Sequence, residues 1–166
     1  VGPWAAKFPG TLGNSLKVEV CSSTGFASWN QAGQFDAAPG TSATATALGV
    51  TGALDELHII VLDEDGAWTG TAGSVLETFA FVSMAADAKN ADGTSNFYKD
   101  VVNGGSEYIY WMDHDTGLTD AGISLSAQAS NKVFDGDGGT AIASSLTGGT
   151  DDDAPTAGEI QIAFDS

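Results

Sequence analysis

The stretch LHIIVLDEDG at residues 57–66 is the most apolar and β-branched run of the chain, and it ends in three acids and a glycine. Five apolar residues and one histidine without polar alternation are typical of a central strand that is buried on both faces. Gly66 suits a left-handed turn conformation. The stretch therefore predicts a central strand over residues 57–62 that ends and turns back at residues 63–66.

Three further strands are predicted on either side of this run. Residues 16–21, LKVEVC, alternate apolar with polar side chains after the turn-forming sequence FPGTLGN. Residues 75–83 alternate Phe79 and Phe81 with small residues, which favours a strand over a helix. Residues 107–112, EYIYWM, form an aromatic strand pattern.

One segment has helical spacing. Residues 95–103, SNFYKDVVN, place apolar side chains four positions apart twice, at Phe97 with Val101 and at Tyr98 with Val102. We expect a short helix here, capped by the serine at 95 or the asparagine at 96 and ended by the glycine at 104.

Four regions have weaker patterns. Residues 34–54 are low in charge and suit a loop or a weak edge strand, and residues 122–129 suit a strand or a loop. The glycine-rich turns of residues 136–149 surround a predicted short helix, and residues 159–164 predict a late strand. With 22 glycines punctuating short apolar runs, the chain as a whole predicts one β-rich domain.

Composition excludes several classes of partner. Five lysines and no arginine stand against 22 acids, for a formal net charge of −17. Binding to nucleic acid and binding to an anionic membrane surface both require clustered basic residues, so neither partner is expected. No run approaches 18 apolar residues, so we expect no membrane insertion. The acidic balance is typical of a solvated surface on which copies repel one another.

The acidic turns do not have the spacing of a calcium-binding EF-hand loop. An EF-hand loop needs a glycine at its sixth position and a glutamate at its twelfth. Counted from Asp63, these positions hold Trp68 and Ser74; counted from Asp135, the twelfth is Leu146. Both matches fail, so we interpret the acids at 63–65 and at 135–137 as solvated turn residues and assign no metal ligand.

Other candidates for chemistry are weak. His58 lies inside the central strand pattern and is expected to be a buried strand residue, and Asp113, His114 and Asp115 are expected to form a turn. Cys21 is the only cysteine, which excludes an internal disulfide or a cysteine zinc site and indicates a strand residue. No GxSxG elbow or phosphate loop occurs, so we assign no catalytic or cofactor-binding residue and expect no enzyme.

The four tryptophans, Trp4, Trp29, Trp68 and Trp111, could form a sugar-stacking face, but in a β-rich domain they are more typical of core or interface anchors. Two rival hypotheses remain open. One is a secreted acidic β-sandwich module that binds calcium or polysaccharide. The other is a hydrolase with scattered carboxylates, which the abundance of acids neither supports nor excludes.

Four stretches resemble, in sequence and order, the tail sheath protein of contractile-tailed, T4-like bacteriophages. They are AKFPGTLGNSLKVEV at residues 6–20, VLDEDGAWTGTAGSVLETF at 61–79, AKNADGTSNFYKDVVNGGSEYIYWMDH at 88–114 and LTGGTDDDAPTAGEIQIAFD at 146–165. Sheath subunits of this family stack as helical rings around the tail tube and contract to drive it through the host envelope. The resemblance implies a structural virion protein, assembled in the host cytoplasm, that needs no cofactor.

The resemblance also implies a fold and a place in a longer chain. Residues 1–166 are expected to be a single sheath middle domain, a two-layer β-sandwich flanked by a few short helices. Residues 146–166 are expected to lead into a C-terminal core domain that carries the strand exchange between subunits. The full-length chain would contact other sheath copies, the tail tube and the baseplate, whereas this fragment is expected to be monomeric.

Overall fold

The computed structural model describes residues 3–112 and 139–152. Within these ranges lie six strands, two short α helices and three 3₁₀ helices. The strands are β1 Trp4–Ala6, β2 Leu16–Cys21, β3 Glu56–Asp63, β4 Ser74–Ser83, β5 Ile109–Trp111 and β6 Ile142–Ser145. The helices are α1 Ala43–Ala47 and α2 Tyr98–Gly105, and the 3₁₀ helices are Thr11–Ser15, Phe26–Ser28 and Ala32–Gln34.

The described strands form two antiparallel sheets. The larger sheet has the order β4-β3-β2-β6, and the smaller is the two-stranded ribbon of β1 and β5. β3 is buried from Leu57 to Asp63, as expected of a strand with neighbours on both edges and layers on both faces. The predicted central strand is therefore confirmed, as are the strands at β2, β4 and β5.

Each face of the larger sheet is covered by a different element. One face, which carries Val18 of β2 and Ile59 of β3, packs against Trp4 and Ile109 of the ribbon and against Tyr98 of α2. The other face carries Cys21, Ile60 and Leu62 and packs against an aromatic loop formed by Phe26, Trp29 and Phe35. Two antiparallel sheets that share a core, with few and short helices, confirm the predicted β-rich α+β fold.

β4 contains two irregularities in its pairing with β3. The register shifts between Leu57 and Ile59 and again between Val61 and Leu62, so β4 holds one extra residue at each place. At the first of these bulges Phe81 has a φ of 54°, which is rare for a bulky residue. Hydrogen bonds from the Phe81 amide to His58 Nδ1 and from Asn96 Nδ2 to the Phe81 carbonyl hold this conformation.

The helix predicted over residues 95–103 is present but displaced. α2 begins at Tyr98 with Phe97 as its N-cap, so the predicted cap at 95 or 96 is wrong. Ser95 instead uses its hydroxyl to donate to Asp100 over 2.7 Å and to accept from the Phe97 amide over 3.3 Å. The i, i+4 pattern is confirmed, because Tyr98 and Val102 are both buried.

Two predictions from weak patterns need correction. The loop predicted over residues 34–54 is present on both sides of an unpredicted short helix, α1, whose first turn is capped by Ser42 Oγ accepting from the Ala45 amide over 3.1 Å. The glycine-rich turns of residues 136–149 surround strand β6 rather than a helix, because pairing with β2 sets its conformation. The strand or loop predicted at 122–129 and the strand predicted at 159–164 lie outside the described residues. Within the described ranges, no helix has the length and apolarity to cross a membrane.

Candidate functional site

Asp63, the last residue of β3, lies at the centre of the best-defined polar site. It is fully buried, and Ser15 Oγ donates to its Oδ1 over 2.7 Å. Its Oδ2 accepts from the amides of Trp68 and Thr69 over 3.0 and 2.8 Å and from Thr69 Oγ1 over 2.8 Å. The interpretation of Asp63 as a solvated turn residue is therefore wrong, because the turn folds around its carboxylate.

The local fold explains why an acid fits at this position. Ser15 Oγ also accepts from the amides of Asp65 and Ala67, over 3.1 and 3.3 Å, so one hydroxyl links the turn to the start of β2. Gly66 takes a φ of 83°, and a Cβ there would lie 2.8 Å from the Ala72 nitrogen. The turn therefore needs glycine at 66 as well as an acceptor at 63.

The pKa of Asp63 reflects two opposing effects. Burial favours the neutral acid, but the hydrogen bonds from Ser15, Thr69 and Trp68 outweigh it and lower the pKa to about 2. The side chain is thus a carboxylate at neutral pH, and its oxygens are occupied by donors from the protein. The arrangement organises the loop of residues 63–73 and leaves this carboxylate engaged within the fold.

The two acids that follow behave as predicted for a turn. Glu64 is half-buried and lies 3.5 Å from Lys17 Nζ, which is also 3.5 Å from Glu19. Asp65 is exposed. Among residues 3–112 and 139–152, no group of three His, Cys, Asp or Glu side chains is close enough to hold a metal ion.

A second buried acid, Asp55, escaped the sequence reasoning. Its Oδ1 accepts from the Ser42 amide over 2.9 Å, and its Oδ2 accepts from Ser83 Oγ over 2.5 Å. Asp55 thereby connects the N-terminus of α1 to the end of β4. Its sequence signal is weak, since an acid just before a strand is ordinarily a loop residue, and its partners lie 13 and 28 positions away.

His58 is a fully buried strand residue, as predicted. Its Nδ1 accepts from the Phe81 amide over 3.1 Å, so its Nε2 carries the proton and donates to the Ala37 carbonyl over 2.8 Å. The ring stacks on Phe35 at a centroid distance of 4.1 Å. Burial lowers the His58 pKa, and the neutral imidazole is a structural element of the bulge.

The tryptophans lie in the cores rather than on a common face. Trp4 and Trp29 are buried in different clusters, and Trp111 packs partly against the first. Trp68 packs edge-on against Phe8 and Tyr108, with centroid distances of 4.7 and 5.1 Å, which confirms its predicted role as an anchor. These contacts do not support a sugar-stacking surface.

Two of the remaining candidates lie outside the described residues: Asp113 with His114 and Asp115, and the acids at 135–137. Cys21 is buried on β2 opposite His58, which confirms its prediction as a strand residue.

A groove of about 430 Å³ lies between β1 and the chain that leaves β6. One wall is formed by residues 3–6, 8–10, 13 and 14, and the other by residues 144–149. Trp4, Gly13 and Leu146 are the buried residues of its lining. None of the lining residues is charged, although the chain as a whole has a net charge of −17. We call it the uncharged groove.

Comparison with known proteins yields one informative similarity. A tail sheath protein of Salmonella phage ViI is 30% identical to this chain over 116 residues. The matched stretch is 70% of this chain and 15% of the length of that relative. No model of a known protein family matches the chain. The chain is thus similar to a phage tail sheath protein over most of its own length.

Proposed function

We propose that this chain is part of a structural subunit of a contractile bacteriophage tail sheath. The observation that carries the proposal is the 30% identity to a tail sheath protein over 70% of the chain. In this function the subunits surround the tail tube as a helical assembly, and their contraction drives the tube through the host envelope. The chain acts as a building block and not as an enzyme.

The described structure is suited to a rigid structural subunit. β3 is buried along its length, and the loop after it is tied to β2 by Ser15 and Asp63. Asp55 makes the equivalent connection at the other end of β3, between α1 and β4. Buried polar networks whose members are hydrogen-bonded rigidify a fold, and a rigid block can transmit force without unfolding.

The proposed partners are other copies of the sheath protein, the tail tube and the baseplate, reached through the longer chain. The proposed location is the tail sheath of the virion, after assembly in the host cytoplasm. We further propose that residues 1–166 form one middle domain and that residues 146–166 lead toward a C-terminal core domain. Because assembly contacts would then lie mainly in that core, the isolated domain is proposed to be monomeric.

The net charge of −17 bears on this assembly. Neighbouring copies repel through their acidic surfaces unless salt screens them, and the screening length is about 8 Å at physiological ionic strength. Basic surface elsewhere in the full-length chain would have the same effect as salt. The proposal therefore includes salt-dependent assembly.

Negative-stain electron microscopy of the full reading frame, expressed alone at moderate salt, tests the proposal. We expect hollow tubes with a helical repeat, and we expect none when only residues 1–166 are expressed. The short protein is the matched control, because it carries the same acidic domain without the remaining contacts. Dispersed monomers from a folded full-length protein across a salt series would refute the sheath function.

A further inference from the structure

A single imidazole holds the bulge of β4 in its unusual conformation. His58 is fully buried, and its Nδ1 accepts from the Phe81 amide over 3.1 Å. Phe81 has a φ of 54°, which is unfavourable for a bulky residue and persists only where the surroundings hold it. On the other side of the residue, Asn96 Nδ2 donates to the Phe81 carbonyl over 3.0 Å. The bulge therefore depends on an acceptor at His58 Nδ1.

The same imidazole holds the aromatic loop, residues 26–37, against its face of the sheet. His58 Nε2 donates to the Ala37 carbonyl over 2.8 Å. The ring lies parallel to Phe35 at a centroid distance of 4.1 Å and edge-on to Phe26 at 5.6 Å. Phe35 in turn stacks on Trp29 at 5.3 Å. One side chain thus joins the bulge to the loop that covers this face.

Protonation of the ring conflicts with this arrangement at one atom. A neutral imidazole has one donor and one acceptor nitrogen, whereas an imidazolium has two donors. The Nδ1 hydrogen of a charged His58 would face the Phe81 amide hydrogen, so this hydrogen bond could not persist. The ring could still donate to Ala37. The conflict is relieved only if the Phe81 amide turns away or if the ring leaves its site together with the loop.

The ionisable groups of the surrounding elements do not compensate a charge on His58. Glu19 of β2 and Glu56 of β3 accept hydrogen bonds of 2.7 and 2.9 Å from the aromatic loop and from the segment that follows it. Cys21 of β2 lies opposite the histidine, and Asp36 of the loop is exposed. The second half of β4 has no charged residue. Within the described residues no carboxylate forms an ion pair with His58, so a buried charge there would be costly.

We propose that His58 is a pH-sensitive switch: its protonation breaks the bond to Phe81 and releases the aromatic loop from the sheet, while the rest of the domain stays folded. The opposite face of the sheet packs against the ribbon and α2 in a separate cluster, so it does not depend on the loop. Burial lowers the His58 pKa in the closed form, so the closed form loses stability as the pH falls below the ordinary value of about 6.5. This proposal does not depend on the sheath function.

Fluorine NMR of the 166-residue protein labelled with 5-fluorotryptophan tests the proposal, because the four tryptophans report on the two faces separately. Trp29 belongs to the aromatic loop, and the other three belong to the opposite cluster: Trp4, Trp68 and Trp111. Between pH 7.5 and 5 the Trp29 resonance is expected to change to the position that it has in the unfolded protein. The other three resonances are expected to keep their folded positions.

Two variants assign the response to one histidine. His58→Gln keeps an acceptor for the Phe81 amide but does not titrate, so the Trp29 resonance is expected to stay constant over this pH range. His114→Gln is the matched control, because it removes the other histidine of the chain and is expected to leave the response unchanged. If His58→Gln does not fold, ¹⁵N NMR of the wild-type imidazoles replaces it. The midpoints of His58 protonation and of the Trp29 change are then expected to coincide.

Several results would overturn the proposal. A Trp29 resonance that does not change between pH 7.5 and 5 would show that the loop is not released. A common transition of all four resonances would show unfolding of the whole domain in place of a local switch. A response that persists in His58→Gln, or a Trp29 midpoint that differs from that of His58 protonation, would assign the change to another group.

Discussion

Asp63→Asn isolates the charge of the buried carboxylate on which the loop after β3 depends. Asparagine is nearly isosteric but offers one acceptor oxygen in place of two. If that oxygen takes the place of Oδ2, it keeps the three bonds from Trp68 and Thr69 as neutral bonds. The amide group then faces Ser15 Oγ, which already accepts from two backbone amides, so the Ser15 bond to Asp63 is lost.

The magnitude follows from this count. A hydrogen bond to a charged group contributes about 1.5–3 kcal/mol and a neutral one about 1 kcal/mol. Weakening three bonds and losing a fourth is expected to lower the free energy of unfolding by roughly 2–4 kcal/mol at pH 7. For a chain of this size each kcal/mol lowers Tm by about 2–4 °C, so the shift is easily measured.

The assay is urea unfolding followed by tryptophan fluorescence, with Asp65→Asn as the control. Asp65 is two positions away and exposed, so its substitution makes the same charge change with an expected effect within about 0.5 kcal/mol. Equal losses in the two variants would refute the assignment of a structural role to the Asp63 carboxylate.

The pH dependence provides a second check. The folded pKa of Asp63, about 2, lies below its ordinary value, so the unfolded chain binds the proton first as the pH falls. The stabilisation by the carboxylate is complete above about pH 4 and is lost as the pH falls toward 2. The difference between the wild type and Asp63→Asn should shrink over this range. A difference that stays constant from pH 7 to 2 would show that charge is not its source.

Three further predictions concern the turn, the bulge and the assembly. Gly66→Ala should destabilise the domain by at least about 1–2 kcal/mol, because an alanine there has a positive φ and its Cβ lies too close to the Ala72 nitrogen. Gly33→Ala, which has open space around it, should be nearly neutral in the same urea assay, and comparable losses in the two variants would contradict this reasoning. Because burial lowers the His58 pKa, the free energy of unfolding should fall as the pH drops below about 6.5. His58→Gln should be less stable than the wild type at pH 7.5, but its free energy of unfolding should change less between pH 7 and 5. An unchanged pH dependence would exclude His58 as the titrating group. Assembly of the full-length protein should weaken at low ionic strength, because the repulsion between acidic copies is then less screened. Unaffected assembly in salt-free buffer, measured by turbidity or microscopy, would contradict a role for charge repulsion.

The strands with strong sequence patterns were predictable because their pattern and their burial have the same cause. The five apolar residues within 57–62 are buried only if layers cover both faces of the strand. The alternating residues of 16–21 require one buried face. The i, i+4 pairs of α2 are equally direct, although its start moved to Tyr98 because Ser95 bonds to Asp100 instead of capping the helix. Similarity to a tail sheath protein was likewise readable from the sequence, since it is carried by residue order.

The short strands β1 and β6 and the buried acids had no such local signal. Three or four residues acquire a strand conformation from their partners, and β6 pairs with β2, more than 120 positions earlier in the chain. The sequence predicts Asp63 as a turn residue because Ser15, whose hydroxyl donates to its carboxylate, lies 48 positions away. The chain alone thus determined which residues must leave water. The tertiary structure decided which polar groups are buried beside those residues. The burial of a carboxylate or an imidazole depends on hydrogen-bond donors and acceptors that only folding brings within reach.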